Sequence, residues 1–175
     1  MDHFVQLAPR ARVVRISRGV RHVVALCVSM TVSVACGSVG ARPYFTPLPD
    51  AVVDTVPAEA PVVISQLQTL AVGEGLAIRA SSPAEGYLET EWYDVDRRGP
   101  VGGSLDPRRI VRLRFFADMT GANSTVLSSE AVTLRAIDPS IPERQNEVMV
   151  PPGHLGNQIL ERILIALRSD RSTRR

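Results

Sequence analysis

The chain contains no lysine: all 20 of its basic residues are arginine. This reads as a bias of genome composition, though arginine's fixed charge also suits ion pairing. Cysteine is almost as scarce. Cys27 and Cys36 are the whole supply, both inside or beside one apolar stretch, which excludes a disulfide within the rest of the chain. Of three histidines only His154 lies beyond that stretch, so a zinc site built from Cys and His is excluded as well. The glycine segment GPVGGS, residues 99–104, has no lysine to complete a phosphate-binding loop. Five arginines (Arg10, Arg12, Arg15, Arg18, Arg21) precede Cys36, against the single acid Asp2. From Cys36 onward 15 arginines face 17 acids, so the basic pI of 8.8 belongs to the leader. A nucleic-acid partner loses its electrostatic footing.

What is present at the N-terminus is an address. The arginine-rich run is followed by HVVALCVSMTVSVA, residues 22–35, an apolar stretch that ends in small residues. Basic region, apolar region and small residues at a cut are the parts of a secretory signal peptide, here residues 1–35. The sequence Ser33-Val34-Ala35-Cys36 resembles the lipobox of bacterial lipoproteins, in which a diacylglycerol is attached to the cysteine and the preceding residues are removed; Ser33 stands where leucine is usual. Cys36 is thus the expected lipid attachment point and the membrane the first expected partner. Gly37 and Ser38 after it point to the outer membrane. An uncleaved anchor over the uncharged residues 22–41, or plain cleavage with a free Cys36, are the competing readings.

Residues 36–56 read as a tether. Residues 41–61 hold Pro43, Pro47, Pro49, Pro57 and Pro61, a composition that favours extended, semi-rigid chain and keeps a domain away from its anchor. Val52 to Val56 could pair as an edge strand. A single domain is expected over residues 57–168, with a frayed tail over 169–175. Ala60, Val63, Ile64, Leu67, Leu70 and Ala71 recur at helical spacing and predict a helix over residues 59–72, with Gly73 at its exit. GLAIRAS, GYLETEWYDV, IVRLRFFA and the stretch from 124 to 136 alternate as strands of an antiparallel meander. Leu155, Ile159, Leu160, Ile163, Leu164 and Leu167 give the last segment a wide apolar helical face. The expected fold is therefore α+β: a two-layer domain with an antiparallel sheet of about four strands and two helices on one face.

The run from Asp54 through the first helix to GLAIRASSPAEGYLETEW, with its Thr90-x-Trp92 strand, and then RRIVRLRF, resembles the helix-grip domains of BamC-type lipoproteins. These are accessory lipoproteins of the outer-membrane β-barrel assembly machinery. The resemblance covers about 80 residues and one domain, where that family commonly has two. It implies a non-enzymatic, scaffold-like role and carries over no catalytic residue.

The residues themselves point the same way. Glu89 and Glu91 share a strand face as catalytic carboxylates would, but Arg112 and Arg114 have the same spacing on the next strand, and cross-strand ion pairs on a wetted face account for both sets. His154 has no nucleophile motif beside it and reads as a cap. No catalytic residue, metal ligand or cofactor is expected. Tyr87, Tyr93 and Phe116 are expected to share an open sheet face with Arg112 and Arg114, and that face, or the loop 97–107, is expected to meet an envelope protein partner. The expected function is a lipid-anchored envelope protein acting as an interaction or assembly accessory. The alternative is an auxiliary lipoprotein of a transport system that holds lipid or another apolar ligand between helices and sheet.

Overall fold

The computed structural model describes residues 42–103 and 105–172; Cys36 and the leader of residues 1–35 lie outside the described residues. In chain order the elements are β1 (Val52–Val56), α1 (Ala60–Gly73), β2 (Ile78–Ser82), a 3-10 turn (Pro83–Glu85), β3 (Tyr87–Thr90), β4 (Tyr93–Asp94), β5 (Gly99–Pro100), β6 (Ile110–Gly121), β7 (Ser124–Leu134), α2 (Glu143–Asn146), β8 (Glu147–Met149) and α3 (Leu155–Ser172). The fold is α+β with an open antiparallel sheet.

Strand alternation decides which side chains go where. On β6, Val111, Leu113, Phe115 and Ala117 point toward α1 and α3, while Ile110, Arg112, Arg114 and Phe116 point the other way. The first face makes the main core. Val63, Ile64, Leu67 and Ala71 of α1 and Ile159, Leu160, Ile163, Leu164 and Leu167 of α3 close over Leu88, Leu113, Phe115, Leu127 and Ala131. Each large side chain sealed this way contributes about 1.5–3 kcal/mol. Pro61 sits in the first turn of α1, where its missing N–H is not needed, and Gly75, at φ 83°, turns the chain out of that helix. At Gly156 a Cβ would meet Val111, so glycine lets α3 lie close on the sheet.

The principal ladder runs β1-β7-β6-β3-β2, all antiparallel. β4 and β5 form a small hairpin beside the start of β6, and β8 extends the sheet next to the end of β7. Among the described residues the sheet therefore has eight strands, more than the expected four or so. The additions are mostly pieces too short to show alternation, and two of them, β1 and β8, come from proline-rich sequence. β1 is the edge strand anticipated over Val52 to Val56, so the folded body does not begin at Pro57 but includes part of the expected tether. At the other end α3 continues to Ser172, past the expected stop at 168.

GYLETEWYDV is not one strand. It breaks at Glu91 and Trp92 into β3 and β4, and the break reverses the alternation. Trp92 joins Ile110, Val132 and Leu134 on the second face, whereas Tyr93 joins the helix-side core.

Between the 3-10 turn and β3, Gly86 adopts a left-handed φ of 67°, and a Cβ there would collide with the Ala117 carbonyl oxygen of β6. The Ala117 N–H donates to the Gly86 carbonyl at 2.8 Å across this contact. Gly86→Ala is expected to lower stability by about 1 kcal/mol or more, read as a shifted urea midpoint. An unchanged midpoint would mean that β3 and β6 do not approach so closely.

Candidate functional site

Register places three charges in one row. Glu89 on β3 pairs with Arg114 on β6, and Arg114 pairs with Glu130 on β7. All three project from the second face, where α2 and β8 bring in Glu143, Arg144 and Glu147. Arg114 donates from Nε to Glu89 at 2.8 Å and from Nη2 to Glu147 at 2.5 Å, while its Nη1 stands 3.6 Å from Glu130 Oε2. Arg112 Nη1 lies 2.5 Å from Glu143, 3.2 Å from Glu147 and 3.6 Å from Glu89. Arg144 reaches Glu147 at 3.1 Å and Glu130 at 3.6 Å, and Arg79 reaches Glu143 at 3.0 Å. Four arginines thus face four glutamates.

Aromatic rings fill the gaps between the charges. The Trp92 ring lies 4.1 Å from the Arg112 guanidinium, and its Nε1 donates to Glu143 at 3.3 Å. Phe45 contacts Arg144 at 3.9 Å and Arg114 at 5.4 Å, and meets Phe116 edge-on at 6.0 Å. Such contacts gain strength where water is excluded. Phe116 in turn packs against Tyr87 at 5.3 Å.

A strap of residues 42–50 covers this face. Arg42 grips Asp118 through Nη1 at 2.6 Å and Nη2 at 3.2 Å, and also bonds Glu85. The Leu48 N–H donates to Glu130, and Arg144 donates to the Thr46 carbonyl at 3.2 Å. With strap, α2 and β8 in place, Arg112 and Arg114 are 1% and 2% exposed and Glu130 is sealed completely. Burial alone would lower the pKa of Arg114, but hydrogen bonds and charge from Glu147 and Glu89 outweigh it and raise the value. Burial raises the Tyr87 phenol, with the Glu89 charge acting in the same direction. At Glu143 burial acts upward, yet hydrogen bonds from Arg112 and Arg79 prevail and hold the carboxyl down at about 2.

The five residues expected on an open partner face are not on an open face. Tyr87, Arg112, Arg114 and Phe116 do lie together, but beneath the strap and among the core side chains. Tyr93 is on the opposite side, buried against the helices beside a cleft of about 490 Å³ that also holds the Glu74–Arg162 pair. A sheet face rich in Arg, Tyr and Phe can be covered by the same chain when matching carboxylates come with the cover. The cross-strand pairing of Glu89 with Arg114 is present, but it is buried, and Glu91 points to solvent. The loop 97–107 is partly anchored, with Val101 and Leu105 against the Trp92 cluster. Cys36 lies outside the described residues. Arg79, Glu130, Glu143, Arg144 and Glu147 are the participants that pattern reading missed. Glu130 had a usable signal, since on β7 it shares its face with Val132; Glu147 had none.

Chemically this arrangement neutralises charge. A general acid or base needs a pKa near the working pH, whereas Glu143 is held far below it and the other carboxylates are engaged by guanidiniums. Among the described residues no group of three or more His, Cys, Asp or Glu is placed to hold a metal ion. No protein-family model and no curated protein matches the chain.

Because the folded pKa of Glu143 is depressed from an ordinary 4.5 to about 2, its contribution is full above pH 4.5 and fades as pH falls toward 2. Its side chain is 43% exposed, so water screens the effect. Urea denaturation of the wild type and Glu143→Gln at several pH values should show a deficit for the variant at pH 7 that shrinks toward pH 2. A deficit independent of pH would contradict the ion pairing.

Proposed function

We propose that the protein is a lipid-anchored component of the bacterial envelope that acts as a non-enzymatic interaction or assembly accessory. The observation that carries the non-enzymatic half is the buried network, in which the carboxylates that might do chemistry are held by arginines. The membrane half rests on the signal-like leader ending at Cys36. No helix among the described residues is long and apolar enough to cross a membrane. The likeness to BamC-type helix-grip domains gives the reading its direction: an accessory of outer-membrane protein assembly, anchored at the periplasmic face. Two helices packed on one face of an antiparallel sheet agree with that likeness at the level of architecture. The alternative, a carrier of lipid for a transport system, needs a cavity between helices and sheet. That space is filled by Val63, Ile64, Leu67, Leu113, Phe115 and Ile163, all at most 1% exposed, and the accessory reading is preferred.

Purification from native membranes in mild detergent, followed by mass spectrometry, should recover components of β-barrel assembly, and Cys36→Ser should move the protein out of the membrane fraction. Recovery of transporter subunits, or of lipid alone, would favour the carrier instead.

A further inference from the structure

We propose that the folded domain sits directly on the membrane that holds Cys36, with the β6–β7 hairpin end turned toward the lipid headgroups; this rests on the lipid-anchor reading above. As an extended proline-rich tether, residues 36–56 would span about 65 Å at ~3.1 Å per residue. The fold removes most of that length. Residues 42–50 lie across the second face and Val52–Val56 form a strand, so the chain belongs to the folded body from Arg42 onward. Only six residue steps separate Cys36 from Arg42, and at ~3.5 Å each they reach about 21 Å in any conformation.

The short leash is fastened at a defined place. Arg42 is bonded to Asp118, three residues before β6 ends at Gly121, and to Glu85 of the 3-10 turn. The 12 residues of β6 extend about 40 Å at ~3.3 Å each, so the leash joins the sheet nearer its hairpin end, while Arg108 lies beyond the other. Met119 on β6, 55% exposed, and Tyr44 on the strap, wholly exposed, are large side chains near that attachment. Tyrosine suits the boundary between water and headgroups. A globular domain of 100 residues has a radius of gyration of about 13 Å, so the leash leaves no room for a second folded protein in between. The occupant of this end is therefore the lipid surface.

The test uses the full lipidated chain in vesicles of phosphatidylethanolamine and phosphatidylglycerol with a headgroup-linked acceptor dye. Donor dyes are placed at Asn123→Cys on the hairpin tip or Arg108→Cys at the far end. Energy transfer should be several-fold stronger from position 123, and a flexible Gly/Ser insert after Gly40 should abolish the difference. Equal transfer from both positions, or stronger transfer from 108, overturns the placement. Mass spectrometry of the same sample separates the two ways of failing. An acylated Cys36 with equal transfer overturns the placement alone; an unmodified Cys36 overturns the anchor reading and the placement with it.

Discussion

Arg114 lies under the centre of the sheet's second face with a glutamate on each neighbouring strand and a third arriving from β8. A guanidinium removed from water is costly unless its partners come with it, and each of those glutamates is subject to the same condition. The rest of that side of the molecule follows from meeting it. β8 must pair with β7 so that Glu147 arrives between Arg112 and Arg114. α2 must precede it so that Glu143 and Arg144 complete the pairing. The strap must cross so that Phe45 and Leu48 close the face against water. The two faces of one sheet are thus stabilised differently: hydrophobic burial under the helices, and charge pairing capped by aromatics on the other side.

Much of the helix side could be read from the sequence, because helical and strand periodicities are local. The stripe from Val63 to Ala71, the face of α3 and the alternation of β6 all depend on residues within one element. The second face could not be read that way. Arg112 and Arg114 are as compatible with a wetted sheet as with a buried one, and the choice is made by Phe45 and Glu147, which are distant in sequence and sit in segments without periodicity. The break at Glu91 and Trp92 is a further limit: alternation carried across it assigns Tyr93 to the wrong side. Proline content misled in a related way. In the strap it gives an extended chain, as expected, but that chain lies on the domain instead of holding it at a distance.

In the network Glu89, Glu130, Glu143 and Glu147 are engaged in holding α2, β8 and the strap to the sheet. What stays available is the outside: the free edge of β1, the grooves beside α3, and the end where the chain joins the domain. The absence of lysine suits the second face, since the several N–H groups of arginine let Arg114 reach Glu89 and Glu147 at once.

The central claim is that the buried arginine–glutamate network holds the second face together, and a double-mutant cycle on Arg114 and Glu147 tests it most directly. Urea denaturation of Arg114→Met, Glu147→Gln and the double variant would be compared with the wild type. The account predicts a loss of roughly 3–5 kcal/mol for Arg114→Met, which strands buried carboxylates, and a double variant that loses clearly less than the sum of the single losses. Single variants within about 0.5 kcal/mol of the wild type, with losses that simply add, would contradict it.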